Sequence, residues 1–188
     1  MRRILKELLS TSIYLLVVLL GTYLFIHFVA QRTIVKGSSM EPTLVGTDAN
    51  DPDKVGDNLI VDKISYRFRD PERFEIIVFP YKLDANQLLI KRIIGLPGET
   101  VEIREDGFIY INGERLKEGY GKEIIDMNHL GAVEYPITLG PDEYFVMGDN
   151  RNNSSDSRYP MVGNVKEDSI VGRAFFRIWP FSKIGSVH

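Results

Sequence analysis

The chain begins with a long run of apolar residues that basic residues precede. No position from 13 to 30 carries a formal charge, and most of these 18 residues are leucine, valine, isoleucine or phenylalanine. A helix needs about 20 apolar residues to cross the hydrocarbon core of a bilayer, and Thr11 and Ser12 extend the run. The pattern therefore predicts one N-terminal transmembrane helix.

A cleavable export signal is the alternative interpretation of this segment. Such a signal ends at a pair of small residues, whereas large side chains surround Ala30, so a retained anchor is favoured. Basic residues before a span stay on the cytoplasmic side of the membrane. We therefore expect residues 1–32 to form a cytoplasmic stub and an anchor, and residues 33–188 to form a domain outside the cytoplasm.

After residue 32, short runs rich in β-branched and aromatic residues alternate with turn residues, a pattern that is typical of strands. The runs are NLIVDK from Asn58, EIIVF from Glu75, QLLIKRII from Gln87, TVEIRE from Thr100, FIYIN from Phe108, EYFVM from Glu143 and IVGRAFFRIW from Ile170. Asp106-Gly107 and Asn112-Gly113 favour two-residue hairpin turns of type I′. Helical periodicity is weak here, so we expect a mainly β domain built as a folded or partly closed, barrel-like sheet.

The composition excludes several classes of function. The formal net charge of the 188 residues is −3, which offers no basic surface for a nucleic-acid backbone. The chain contains no cysteine, which rules out thiolate nucleophiles, disulfides and zinc or iron–sulfur sites with cysteine ligands.

The segment GSSMEPTL, residues 37–44, places two serines side by side. Ser38 and Glu41 have the spacing of a helix-capping box, but Pro42 follows and no apolar helical run comes after it. Taken by itself, the pair is also compatible with a plain polar turn. A serine becomes a nucleophile only when a neighbouring base removes its proton.

Two residues are candidates for that base. His129 lies in a loop with no supporting pattern, whereas Lys91 lies in the strand QLLIKRII between aliphatic neighbours. The adjacent Arg92 is excluded because a guanidinium stays protonated in proteins. Lowering a lysine pKa to near neutrality requires about 4 kcal/mol, which burial can supply. Alternatively, Lys91 extends from an edge strand into solvent.

The segment GDNRNNSSDSR, residues 148–158, is the third candidate. Its composition alone indicates a polar loop. Its polar residues are unusually dense, however. Asp156 and Arg158 have the charges to form an ion pair that fixes the loop, and a serine there can orient the lysine.

Three segments follow the single span in this order: GSSMEPTL, KRIIGLPGE and GDNRNNSSDSR. Together they resemble the motifs of the bacterial type I signal peptidases, the membrane-bound leader peptidases of the Ser-Lys class. The resemblance covers nearly the whole chain and fits the compact, single-span Gram-positive form. It implies that Ser39 is the nucleophile and Lys91 the general base. It further implies that Ser154 hydrogen-bonds the lysine, while Asp156 and Arg158 hold the site together.

The resemblance also implies the substrate and the setting. The substrates would be exported preproteins with A-x-A-like cleavage sites, cut after a small residue through an acyl-enzyme at the cell membrane. Val35, Met40, Leu44 and Ile90 would line shallow pockets for small side chains. No metal or cofactor and no nucleic acid would take part, and the lipid bilayer would be the other partner.

Two positions depart from the pattern of this family. Gly37 stands where some members carry a serine whose hydroxyl helps to stabilise the oxyanion. Phe74 stands where the family usually has a glycine, before the charged Glu75.

Two other interpretations remain at this level. A self-cleaving repressor shares Ser-Lys chemistry, but it carries a DNA-binding helical module where this chain has an anchor. A catalytically inactive or non-enzymatic membrane-anchored β module is the main alternative, because a sequence does not show the geometry of the site.

Overall fold

The N-terminal segment is one long helix. The structure, a computed structural model, describes residues 2–187. Helix α1 spans Arg2–Phe28, and its part Lys6–Phe25, with a mean hydropathy of 2.0, is long and apolar enough to cross a membrane and is not buried against the rest of the chain. The membrane-spanning helix was expected to continue to Ala30, but it ends at Phe28 and a strand begins at Ala30. The sheet therefore begins inside the segment 1–32 that was expected to be stub and anchor.

Within residues 2–187, twelve strands form two antiparallel sheets. The strands are β1 (Ala30–Ile34), β2 (Asn58–Asp62), β3 (Ile76–Tyr81), β4 (Asp84–Gly95), β5 (Thr100–Ile103), β6 (Ile109–Ile111), β7 (Glu114–Arg115), β8 (Ile137–Thr138), β9 (Glu143–Met147), β10 (Val165–Lys166), β11 (Gly172–Trp179) and β12 (Gly185–Ser186). The larger sheet has the order β1-β2-β11-β3-β4-β9-β10, with β12 beside β11, and the smaller has the order β7-β6-β5-β8. The predicted mainly β fold is confirmed.

The two hairpin predictions have different outcomes. Asn112 and Gly113 both have positive φ, 51° and 84°, and join β6 to β7, so the type I′ turn is confirmed. Between β5 and β6, Gly107 has a φ of 75° but Asp106 does not have a positive φ, so the predicted type I′ turn is wrong. There, Gly107 N–H donates to Arg104 O and Phe108 N–H to the Asp106 carboxylate, which makes a longer loop with one left-handed residue.

Strand β4 connects the cores of the domain. Its first residues are exposed and its last five, beginning with Lys91, are buried. Because side chains alternate along a strand, Leu89 and Ile93 pack in one apolar cluster, whereas Ile90 packs against another that contains Val35. The strand thus carries Lys91 from an open edge into the interior.

Phe74 takes over the backbone conformation of the expected glycine. Its φ is 72°, in the left-handed region that normally favours glycine. Its N–H donates to Ile93 O, and its own carbonyl accepts from Arg92 Nη1 at 2.7 Å. Next to it, Glu75 accepts hydrogen bonds from Tyr66 and Arg69. Interactions with neighbouring elements therefore hold the turn before β3 in place, although a residue other than glycine occupies its left-handed position.

Candidate active site

Ser39 lies in a short turn that the core holds at both sides. Met40 and Leu44 are 1% and 0% exposed, and Leu44 N–H donates to Met40 O. Ser38 does not cap a helix, because residues 39–43 form turns; its hydroxyl accepts a hydrogen bond from Asn153 Nδ2 at 3.0 Å. Glu41 instead forms an ion pair with Lys54. These contacts leave Ser39 between the buried end of β4 and the loop that follows β9.

Lys91 reaches Ser39 directly. Its Nζ atom lies 2.7 Å from Ser39 Oγ and donates a second hydrogen bond of 3.1 Å to Ile90 O. The residue is only 4% exposed, so it does not extend from the edge strand into solvent. A hydrogen bond of this length allows direct proton transfer between the hydroxyl and the amine.

Burial changes the acidity of this lysine. Removal of its ammonium from water lowers the pKa of Lys91 from 10.5 to about 8. The carboxylates of Asp156 and Asp149 act in the opposite direction and raise the pKa, while Arg158 lowers it further. The loss of hydration is the largest of these effects, and it favours the neutral amine that a general base requires.

Ser154 lies beside the site, but it does not form the predicted bond. Its buried Oγ has no hydrogen-bond partner among residues 2–187, so the expected hydrogen bond to Lys91 is not formed in this structure. Both hydrogen bonds of Lys91 Nζ go to other groups, Ser39 Oγ and Ile90 O. A Cβ atom on Gly148 would lie 2.3 Å from both Ser154 Oγ and Ser39 O, so a glycine is needed for this close approach.

The predicted ion pair between Asp156 and Arg158 forms. Arg158 Nε and Nη2 each donate to the carboxylate of Asp156 at 2.8 Å, and both side chains are fully buried. The carboxylate also accepts from Gly148 N–H, and Arg158 reaches His129 O and Arg151 O. The pair therefore fixes both ends of the loop that contains Ser154.

His129 does not serve Ser39 in this arrangement. Its carbonyl oxygen accepts the hydrogen bond from Arg158, and its Nδ1 is buried without a hydrogen-bond partner in the described part of the chain. The nitrogen that contacts Ser39 Oγ belongs to Lys91. In addition, no group of three or more His, Asp or Glu residues within 2–187 has the arrangement of a metal site.

A cleft of about 530 Å³ opens at Ser39 and Lys91. Residues 33–36 form one wall, residues 86–91 form the other, and Met40 lies at the end with Ser39. Val35, Met40 and Ile90 line this cleft, as the expected pocket residues should. Leu44 is not among the lining residues; its side chain is completely buried in the apolar cluster that also contains Val35 and Met40, so the structure does not place it in the expected pocket.

The family model described as signal peptidase, peptidase S26, matches residues 5–179. The chain belongs to this family. It is therefore a hydrolase of the serine peptidase type, in a family that removes signal peptides.

Two sequence relatives agree with this assignment. A probable signal peptidase I-2 of Synechocystis sp. is 44% identical over 165 residues, which cover 84% of this chain and 67% of that protein. A signal peptidase I of Leptolyngbya laminosa is 40% identical over 167 residues, covering 85% and 74%. A crystal structure of a signal peptidase I from Enterococcus faecalis V583 is similar with a TM-score of 0.47 and 40% identity, and covers 56% of this chain and 97% of that one.

Sequence reasoning missed the buried ion pair next to Ser39 and Lys91. Arg92 is unsuitable as a base, but its guanidinium donates two hydrogen bonds to Asp149 and lies 3.7 Å from the centre of the Tyr120 ring. Thr43 Oγ1 donates to the same carboxylate. Arg92 and Asp149 lie 57 residues apart in the sequence, so local spacing did not indicate that they form a pair. The only signals were an arginine next to the lysine and an aspartate in the segment GDN.

Two asparagines that hold the nucleophile were also missed. Asn150 N–H donates to Ser39 O at 3.0 Å, and its Nδ2 donates to Ser38 O at 3.1 Å. Asn153 binds the Ser38 hydroxyl. Asparagine is common in turns, so a plain polar turn accounted for both residues equally well in the sequence. Only the fold brings them into contact with the serines.

Proposed function

We propose that this protein is a membrane-anchored serine endopeptidase in which Ser39 and Lys91 act as a dyad. It would remove N-terminal signal peptides from exported preproteins by cutting after a small residue. The observation that carries the proposal is the 2.7 Å separation of Ser39 Oγ from the Nζ atom of a lysine that burial makes less basic.

The lowered pKa makes Lys91 an effective base near neutral pH. A lysine with a pKa of about 8 is roughly one-tenth neutral at pH 7 and half neutral at pH 8. At the ordinary value of 10.5, only about one molecule in three thousand is neutral at pH 7. Neutral Lys91 takes the proton from Ser39 as the hydroxyl oxygen attacks the scissile carbonyl.

The reaction then proceeds in two halves. The ammonium of Lys91 gives its proton to the leaving amine when the tetrahedral intermediate collapses, which leaves the signal peptide as an ester on Ser39. Neutral Lys91 next takes a proton from a water molecule that attacks this ester, and it returns the proton to Ser39 Oγ as the ester bond breaks and the signal peptide leaves as a carboxylic acid. Each half returns Lys91 to the protonation state that the other half needs.

The oxyanion requires hydrogen-bond donors at the nucleophile. Among residues 2–187, no group accepts a hydrogen bond from Ser39 N–H, so this donor is available to the developing charge. Gly37 supplies no hydroxyl at the position where some family members have one. The backbone N–H of Ser39 is therefore our main candidate for the oxyanion hole.

The cleft suits an extended peptide. Strand β4 pairs with β3 on one side, but it pairs with β9 only from Arg92 onwards, so its edge before Lys91 is open toward the cleft. On the other wall, Val35 and Gly37 direct their N–H groups away from the cleft, to Asp57 O and Thr47 O. A substrate segment can add as a strand between these walls.

Shallow pockets would select the side chains next to the scissile bond. Val35 and Met40 are almost completely buried, and Ile90 is partly buried beside them. Alternate residues of an extended peptide face the same side, so two small side chains, as in A-x-A, fit against these residues. Leu44 has no direct part in this selection.

The loop 148–158 would support the dyad. Asp156 and Arg158 hold it through their buried ion pair, and Asn150 connects it to the carbonyl of Ser39. Ser154 supplies a buried hydroxyl whose oxygen is free to accept a hydrogen bond. We assign this acceptor to the stage at which Lys91 carries the proton of Ser39 and its ammonium has a third hydrogen to donate.

Helix α1 would anchor the enzyme in the cell membrane, with its N-terminus in the cytoplasm. Its apolar side chains are exposed, and basic residues precede the apolar part. Protease added outside intact cells should then degrade the domain after Arg32. Protection of that domain, with degradation only after lysis, would contradict this orientation.

A cleavage assay tests the activity itself. The full-length protein in detergent micelles is incubated with a preprotein that has an A-x-A site, and mass spectrometry locates the new N-terminus. We expect cleavage after the second alanine by the wild type and none by Ser39→Ala. No cleavage by the folded wild type would favour an inactive membrane-anchored β module.

A further inference from the structure

Lys36 places a positive charge at the rim of the cleft, three residues before Ser39. The chain from 33 to 36 is extended, so neighbouring side chains face opposite sides. Val35 is 2% exposed and faces the interior, whereas Lys36 is exposed. Both residues line the same cleft wall, with Val35 on its buried side and Lys36 on its solvent side.

No carboxylate within residues 2–187 forms an ion pair with this ammonium. Lys54, by comparison, pairs with Glu41 at 2.8 Å on the other side of the nucleophile turn. Lys36 is therefore a cation without an internal counterion at the site where the substrate binds. A charge in this position attracts or repels charged side chains of the bound substrate segment.

The other exposed charge on the cleft walls lies farther from the reaction. Asp84 pairs with Tyr81 and Lys91 with Ile77, four residues apart along β3, which separates the two backbones by about 13 Å at the rise of a strand. Lys36 is at most about 10 Å of extended chain from Ser39. Because exposed charges are screened over about 8 Å at physiological salt, Lys36 dominates near the scissile bond.

The alternation along a strand assigns substrate positions to Lys36. If small residues one and three before the scissile bond face Val35, Met40 and Ile90, then the residues two and four before it face the solvent side. We infer that Lys36 selects the charge of a signal peptide at these two positions, favouring acidic side chains and disfavouring basic ones. The inference rests on the proposed peptidase function.

Lys36 would thus select the charge of the middle residue of an A-x-A-like site, a position at which the shallow pockets do not select the side chain. An exposed ion pair changes kcat/KM by about two- to fivefold. Selection of this size ranks competing preproteins without excluding any of them.

The test uses the full-length enzyme in uncharged detergent micelles. The substrates are synthetic signal-peptide segments that differ only in Glu, Gln or Lys at the second residue before the scissile bond, with a parallel set at the fourth. The enzymes are the wild type, Lys36→Met, Lys36→Glu and the control Lys117→Glu, which reverses an exposed charge outside the cleft. Circular dichroism verifies that each variant is folded.

We expect the wild type and Lys117→Glu to prefer Glu over Gln, and Gln over Lys, by about two- to fivefold at each step. Lys36→Met should remove most of this preference, and Lys36→Glu should reverse it. All preferences should shrink in 1 M salt, where the screening length is about 3 Å.

Two results would overturn the inference. An unchanged ranking in Lys36→Glu, with the Gln peptide still cleaved, would refute the role of Lys36 and leave the proposed peptidase function standing. Failure of the folded wild type to cleave any of the peptides would refute the peptidase function and the inference together.

Discussion

Arg92 and Asp149 form a bidentate ion pair that is completely buried. Their two contacts measure 2.8 and 2.7 Å, and Thr43 donates a third hydrogen bond to the same carboxylate. The pair therefore joins the strand that carries Lys91, the turn that carries Ser39 and the loop 148–158. Each of these segments comes from a different part of the chain.

This relationship predicts a large loss of stability when one partner is removed. Asp149→Ala leaves Arg92 charged and buried without its carboxylate, which should lower the free energy of unfolding by about 3–5 kcal/mol. Chemical denaturation of the full chain in detergent measures this loss. The exposed pair of Asp142 and Lys166, 3.7 Å apart, is a matched control, and Asp142→Ala should cost less than about 1 kcal/mol. Equal effects of the two substitutions would contradict a central role of the buried pair.

The two adjacent serines should differ sharply in activity. Ser39→Ala removes the hydroxyl that contacts Lys91 and should abolish preprotein cleavage. Ser38→Ala removes one hydrogen bond from Asn153, worth about 1 kcal/mol, and should keep substantial activity. Steady-state cleavage rates of the two folded variants decide the question, and the opposite ranking would place the nucleophile at Ser38.

Ser154→Ala should separate catalysis from stability. The buried hydroxyl has no partner among the described residues, so its removal should leave the free energy of unfolding unchanged or slightly higher. If the hydroxyl accepts from Lys91 only when the amine is charged, kcat should fall while KM stays nearly constant. Unchanged kcat would mean that Ser154 has no part in the reaction.

Leu44 and Ile90 should have different roles although both were expected in the substrate pockets. Leu44→Ala should lower the free energy of unfolding by about 2–5 kcal/mol, because the side chain is completely buried. Ile90→Ala should enlarge the cleft and allow cleavage after larger residues. Thermal melts and the mass of the products measure the two effects. A changed cleavage position in Leu44→Ala would argue that it belongs to the pocket.

Local patterns predicted most elements of the fold. Alternation in β5 and β6 appears as alternating burial, and Asn112-Gly113 forms the expected turn because both residues adopt positive φ. The order of the sheet was not predictable in this way. Strand β11 lies between β2 and β3, and this pairing joins residues that are about a hundred positions apart.

The site was predictable in its residues more than in its contacts. Ser39 and Lys91 were named from motifs, but their contact spans 52 residues and depends on the fold. The direction of the Ser154 hydroxyl depends on the packing against Gly148, which composition does not reveal. Leu44 was misassigned because an aliphatic residue looks the same in a pocket and in a core.

Lys91→Arg tests whether the amine works through its charge or as a base. The substitution keeps the positive charge, but a guanidinium stays protonated at any workable pH. We expect a folded variant with almost no cleavage and no recovery at alkaline pH. A comparable rate in this variant would remove Lys91 from the role of base.

The pH dependence of kcat/KM for the wild-type enzyme is the most direct test of the Ser-Lys dyad. A base must be neutral to act, so activity should rise with pH as Lys91 loses its proton, with an apparent pKa of about 8 instead of the ordinary 10.5. The measurement uses a preprotein substrate that has no titrating group near its cleavage site. A rising limb near 8 that disappears in Lys91→Arg is the result that the account predicts. The same limb persisting in Lys91→Arg, or a limb that vanishes in His129→Gln instead, would contradict it.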